Sequence, residues 1–298
     1  MAVLTARNSE EDPPMDRNPS DPLVSTAWLE AHLDAPDVRI VDCSWFLPGI
    51  ERDPRAEYAA THIPGAVFFD IDEISDLDSP YPHMLPSTVK FSARVRKLGL
   101  GDGARIVTYD SSGIMGAARV WWTFRAMGHE DVVVLDGGLP KWLAEGRPVE
   151  DRVPLVGERH FTARLSGDLV HDISQMRRVV ESGRAQIIDA RPAGRFTGET
   201  PEPRRGLKSG HMPGAFSVPA STLLTAPGVM KSADALRDLF EGAGVDLRKP
   251  MVTTCGSGIT ASLLALALAR MGRARVPVYD GSWAEWGAQS DTPVVTEI

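Results

Sequence analysis

Of the two cysteines in the chain, Cys43 and Cys255, only Cys255 stands in a setting that chemistry could use. It sits in MVTTCGSGITAS, where a short β-branched run gives way to glycines and then to a stretch of helical composition from Thr260. Gly256 and Gly258 permit positive φ, so successive backbone N–H groups can converge on one point. The start of the helix adds about half a positive charge. Both effects favour a thiolate over a thiol, whose free pKa is about 8.5, and the same cradle suits a persulfide or an anion. The competing reading is a small buried hydrophobe, which leaves the two glycines without a purpose. Cys43, in VDCSW with apolar neighbours and no glycines, reads the other way, as a core thiol. A cysteine phosphatase needs C-x5-R, and six residues after Cys255 stands Ala261. The loop is also neutral and one residue shorter than that motif, a size that suits sulfur better than a phosphoryl group.

The elements that must hold this loop follow from an internal duplication. IVDCSW (40–45) resembles IIDARP (187–192), and THIPGAVFFDI (61–71) resembles GHMPGAFSVPA (210–220). RIVTYDSSGIMGA (105–117) resembles PMVTTCGSGITAS (250–262), and VVVLDGGLPKW (132–142) resembles VPVYDGSWAEW (276–286). The four blocks keep their order at a nearly constant offset of about 145 residues, so the chain reads as two copies of one fold. IVTYD and MVTTC suit buried strands. Helical stretches at 115–127 and 260–271 follow them, stopped by Gly128 and Gly272. VVVL and VPVY are the next strands. Strand, helix, strand is a βαβ unit, so each copy is expected to be an α/β domain with a mainly parallel sheet flanked by helices. The predicted division is a loose, disordered N-terminal tail at 1–20, a first domain at 21–147, a linker at 148–167 and a second domain at 168–298.

In open α/β sheets ligands bind at the carboxyl ends of the strands. Cys255 of copy two occupies the place that Asp110 holds in copy one, so only the second loop carries a nucleophile. Asp110 is read as a position in an inactive copy. The cluster Trp121, Trp122 and Phe124 reads as core. Trp283 and Trp286 read equally as core or as walls of the site.

Composition narrows the remaining classes. Lys plus Arg is 32 against 40 Asp plus Glu, a formal charge of −8, which argues against a nucleic-acid partner. Hydrophobic residues are 43% and charged residues 24%, which excludes a wholly disordered chain. The run from Ile259 to Ala269 is too short to span a bilayer. The acidic N-terminus lacks an apolar targeting core. Two cysteines allow one bridge at most. A reducing cytoplasm with one special thiol is the simpler expectation, and no metal or organic cofactor is called for.

With these blocks in place the chain resembles the tandem-domain rhodanese-like sulfurtransferases, in which an inactive first copy precedes a second that carries the catalytic cysteine. The resemblance covers about residues 22–296 and rests on THIPGAVFFDID, SPYPHMLP, RVWWTFRAMGH, GRFTGETPEPR, GHMPG, TCGSGIT and YDGSWAEW. CGSGIT is similar to the loop of the 3-mercaptopyruvate-using branch. The thiosulfate-using branch has basic residues directly after the cysteine, where this chain has Gly256 and Ser257. The resemblance implies Cys255 as nucleophile. It implies Arg195 and Arg204 as carboxylate-binding residues, and a proton relay of Ser257, His62 and an acidic partner. That partner is read as Asp53, with Glu51 and Glu57 as alternatives close in sequence. Gly256, Gly258, Ile259 and Thr260 complete the loop that meets the substrate.

Independently of the resemblance, an arginine fork suits a small α-keto acid carboxylate. The competing reading of Arg195 and Arg204 is surface solubility or an inter-domain ion pair. That of His62, which has a duplicate in His211, is a turn histidine capping a backbone group. The implied reaction passes sulfur from 3-mercaptopyruvate through a Cys255 persulfide to a thiol, such as a small reductant or a thioredoxin-like protein, or to cyanide, and releases pyruvate. Thiosulfate:cyanide transfer, or a non-catalytic sulfur carrier, are the alternatives.

Overall fold

The computed structural model describes residues 21–47, 49–225 and 228–297, so the tail expected at 1–20 lies outside the described residues. The first half runs β1 (Leu23–Val24), α1 (Thr26–Glu30), β2 (Val38–Asp42), α2 (Pro54–Ala60), β3 (Val67–Phe68), α3 (Thr88–Lys97), β4 (Arg105–Tyr109), α4 (Met115–Ala126), β5 (Val132–Leu135) and α5 (Gly138–Ala144). The second runs β6 (Val170–His171), α6 (Ile173–Ser182), β7 (Gln186–Asp189), α7 (Ala193–Thr197), β8 (Ala215–Ser217), β9 (Leu224–Thr225), β10 (Val229–Met230), α8 (Ala233–Gly242), β11 (Met251–Thr254), α9 (Ile259–Arg270), β12 (Val278–Tyr279) and α10 (Ser282–Trp286). The sheet orders are β1-β5-β4-β2-β3 and β6-β12-β11-β7-β8, the same order in both copies. Every pairing within the two five-stranded sheets is parallel. The small two-stranded pairing of β9 with β10 is antiparallel.

Helices α4 and α9 pack against each other and join the halves. Neither is amphipathic in the usual one-sided way. α4 is buried from Gly116 to Ala126, and α9 is buried at Ile259 and from Ala261 to Ala269. A helix apolar all round belongs inside a protein, and one core cluster accordingly runs from Val41 in the first sheet to Val278 in the second. Cys43 lies in it, fully buried, with burial pushing its thiol pKa well up. Trp121, Trp122 and Phe124 pack there too. Among the described residues no helix is long and apolar enough to cross a membrane.

The halves also grip each other by a matched pair of bonds. Asp280 Oδ2 accepts from the Leu85 amide at 2.7 Å, and Asp136 Oδ1 accepts from the Met230 amide at 2.9 Å. Leu85 and Met230 are therefore equivalent positions. Each half lays one segment, around 79–86 or the β9–β10 hairpin, over the other half's strand-to-helix loop.

One buried acid in the first half carries a pH signature. Asp42, 1% exposed at the end of β2, has its pKa raised to about 6, mainly by burial and against bonds from Ser44 and Tyr109 that favour the charged form. The folded chain thus holds this proton more tightly than the unfolded chain does. The stability it contributes at low pH is lost as pH rises from about 4 through about 6. Asp42→Asn should raise stability at pH 7 by about 1–3 kcal/mol and flatten the denaturant midpoint against pH across that window. An unchanged pH profile would show that Asp42 does not set it.

Candidate active site

β11 ends at Thr254 and α9 begins at Ile259, so Cys255–Gly258 is the whole turn between them. Gly258 caps the helix with φ 82°, the left-handed conformation that a glycine adopts without cost. Its amide points back at the cysteine and donates to Cys255 Sγ at 3.1 Å. Gly256 does not need positive φ, contrary to the expectation for both glycines. Its missing side chain matters instead, because a Cβ there would lie 3.0 Å from Arg195 Nη2. The thiol is 2% exposed. Ser282, at the start of α10, accepts from the Cys255 amide at 3.2 Å, donates to the Tyr279 carbonyl at 2.8 Å and keeps its Oγ 4.0 Å from Sγ.

The corresponding turn of the first half shows how the fold fills this cradle when no chemistry is asked of it. Asp110 accepts from the Ser112 amide at 2.9 Å, the Ser112 hydroxyl at 3.1 Å and the Ala117 amide at 3.0 Å. A built-in carboxylate at the N-terminus of α4 satisfies the donors that a bound anion would otherwise meet. The β9–β10 hairpin closes over it, with Gly228 resting on Gly113.

Ser257 is buried and its hydroxyl meets a histidine, but not His62. His83 Nδ1 lies 3.1 Å from Ser257 Oγ, and His83 Nε2 lies 3.1 Å from Asp72 Oδ1. The hydrogen bond from His83 holds the Asp72 carboxyl below its usual range. An ionised Asp72 accepts from Nε2–H, which leaves Nδ1 as the acceptor for the serine hydroxyl. Ser257, His83 and Asp72 thus form one hydrogen-bonded chain, and His62 takes no part in it.

His62 is a structural residue. Its Nδ1 bonds the Tyr58 carbonyl at 2.7 Å and its ring stacks on Tyr58. Its duplicate does the same, with His211 Nδ1 2.7 Å from the Phe196 carbonyl and its ring stacked on Phe196. Asp53 caps α2, accepting from the Arg55 and Ala56 amides, and Glu57 pairs with Arg52. Neither is a partner for the relay.

His83 and Ser282 share a further property. Among the described residues they are the two non-glycine residues with positive φ, at 62° and 48°. Their equivalents in the other half are Gly228 and Gly138, with φ 92° and 55°. The fold demands a left-handed backbone at these places, and only around Cys255 does it spend a side chain there. Backbone strain of this kind collects at functional sites.

The two arginines flank the turn differently. Arg195 Nε and Nη2 are engaged by Glu202, at 3.2 and 2.5 Å. Glu202 in turn bonds Arg191, itself paired with Asp189 and seated on the Trp283 ring. One edge of the Arg195 fork is thus occupied and fixes the direction of the other. Arg204 lies close enough to feel Arg195, Cys255 and Glu202. Burial first, and Arg195 next, lower its pKa, against the thiolate and the carboxylate. Trp283 and Trp286 are fully buried core residues.

These features define a class of protein: a duplicated parallel α/β fold that presents one cysteine in an amide turn, with the turn's own serine hydrogen-bonded to a histidine–aspartate pair from the opposite half. The Rhodanese-like domain model matches residues 25–145 and 172–289, and the chain belongs to that family. The human 3-mercaptopyruvate sulfurtransferase is 44% identical over 270 residues, covering 89% of this chain and 91% of that protein. The chicken thiosulfate sulfurtransferase is also 44% identical over 270 residues, covering 89% and 92%. The crystal structure of SseA from Escherichia coli, described with the mechanism of 3-mercaptopyruvate sulfotransferases, matches with a TM-score of 0.81 at 40% identity, covering 88% of this chain and 98% of that one.

Proposed function

We propose that the protein is a sulfurtransferase that takes sulfur from 3-mercaptopyruvate, carries it as a persulfide on Cys255 and passes it to a thiol. Overall identity does not separate this donor from thiosulfate, since relatives named for each are equally similar. The turn separates them. Gly256 and Ser257 leave no cation directly after the cysteine, and Arg195, beside Gly256, with Arg204 near it, offers guanidinium groups that suit a carboxylate, which supports the 3-mercaptopyruvate reading.

In the reaction the Cys255 thiolate attacks the substrate sulfur and forms the S–S bond. The substrate C–S bond breaks and its electron pair leaves as pyruvate enolate, while the proton that the substrate thiol gives up, taken by way of Ser257 to His83 Nδ1 and returned, converts the enolate to pyruvate. The Gly258 amide steadies the sulfur. A second thiolate then takes the outer sulfur and returns Cys255 to its starting state, a ping-pong course. A small thiol or a thioredoxin-like protein fits that step. The chemistry suits a reducing compartment such as the cytoplasm, where thiols are abundant and the nucleophile stays free.

The donor assignment is tested by comparing two substrates on the same variants. Arg195→Ala and Arg204→Ala should each lower kcat/KM for 3-mercaptopyruvate by about 10–100-fold, the worth of a charge-assisted carboxylate contact. Use of thiosulfate should fall far less. Equal losses on both donors would remove the carboxylate role. Mass spectrometry after exposure to each donor should find one added sulfur on Cys255.

A further inference from the structure

We infer that Arg119, on α4 of the non-catalytic half, is a positioning residue that locks the Cys255 turn and the His83 segment into one register. This rests on the role given above to Cys255 and His83. Arg119 is 2% exposed. Its Nη2 donates to the carbonyl of His83 and to Asp280 Oδ1, the latter at 2.7 Å, and its Nη1 reaches the Gly258 carbonyl at 3.5 Å. The guanidinium sits 4.4 Å from the centroid of the Trp122 ring, which leaves it little freedom to move. Every acceptor belongs to the site or borders it. Gly258 supplies the amide that meets Sγ. His83 is held in the left-handed conformation and aims its ring at Ser257. Asp280 receives the Leu85 amide, two residues beyond His83.

The duplication shows that the fold itself does not need this cation. The position equivalent to Arg119 on α9 is Leu264, a fully buried apolar residue of the common core. The reciprocal bonds made by Asp136 and Asp280 hold the halves together on both sides, but the arginine stands only on the side with the nucleophile. An unpaired buried arginine would be costly, and its planar fork is the one side chain that can serve three acceptors at fixed angles. With it in place, the amide on the sulfur and the histidine of the relay keep a constant separation across the boundary between the halves.

The experiment uses the full chain. Arg119→Leu installs the residue of the other half, paired with Asp280→Asn so that no buried carboxylate is left unpartnered. Arg119→Lys keeps the charge and loses the fork. Steady-state kinetics with 3-mercaptopyruvate, and the single-turnover rate of sulfur loading on Cys255, are read below the melting temperature of each variant. The expected result is a fall in kcat and in the loading rate of about 100-fold for the double variant, the size of effect produced by a misplacement of about 1 Å. KM should stay within about threefold, because Arg195 and Arg204 are untouched. Arg119→Lys should recover part of the rate and gives the same split should the double variant not fold. Wild-type kcat in a folded variant would overturn the proposal. So would a KM that rises as much as kcat falls, which would mean that Arg119 only holds the halves together. Failure of the underlying reading looks different: Cys255→Ser would still load sulfur.

Discussion

Cys255→Ser should leave a folded protein that releases no measurable pyruvate from 3-mercaptopyruvate, a loss of about four orders of magnitude or more. The size follows from the site. Serine preserves the volume and still accepts from the Gly258 amide, which now donates to Sγ at 3.1 Å. An alcohol, however, ionises far less readily than a thiol and cannot form a disulfide-type bond to the donor sulfur. Ser257 cannot replace it, because its hydroxyl is directed at His83. Cys43→Ser is the control. That thiol is fully buried in the core and donates to the Val41 carbonyl at 3.4 Å, so its loss should touch stability and leave turnover alone. Pyruvate release together with mass spectrometry of the loaded protein decides the matter. Turnover surviving in Cys255→Ser would put the nucleophile elsewhere.

The second large effect separates two histidines. His83→Gln should lower kcat by about 10²–10⁴-fold, the usual worth of a positioned acid–base group. His62→Gln should leave kcat nearly unchanged and destabilise the fold by about 1–3 kcal/mol, through a lost buried hydrogen bond and ring stack. Asp72→Asn should cost less than His83→Gln. Asp72 is a largely exposed carboxylate, and an amide in its place can still meet the ring nitrogen while favouring the other tautomer. Kinetics with thermal melts on the two histidine variants test the assignment. The reverse pattern, a dead His62→Gln beside an active His83→Gln, would restore the relay that the resemblance alone suggested.

The difference between the two histidines was legible in the sequence. His62 has a duplicate in His211, and both serve the same carbonyl-capping turn, so the pair belongs to the fold. His83 has no histidine at its equivalent, Gly228, and the comparison that singles out Cys255 against Asp110 singles out His83 as well. Its partner Asp72 carried no comparable mark, since it lies in an irregular, acid-rich stretch whose register to the other half cannot be read from residue types.

The duplication, the parallel α/β order and the cysteine turn were all present in the order of residues, because each depends on local spacing: β-branched runs, glycines at a turn, a repeat offset; Arg195 and Arg204 were named only through the resemblance. What only the folded chain decided is which groups from the first half arrive at the turn of the second. His83 and Arg119 reach the turn that carries Cys255, with Asp72 behind His83, across a boundary set by the packing of α4 on α9, and Glu202 takes one edge of the Arg195 fork. Those distances are fixed by how two buried helical faces interlock, a property of side-chain shape summed over the whole core rather than of any stretch of sequence.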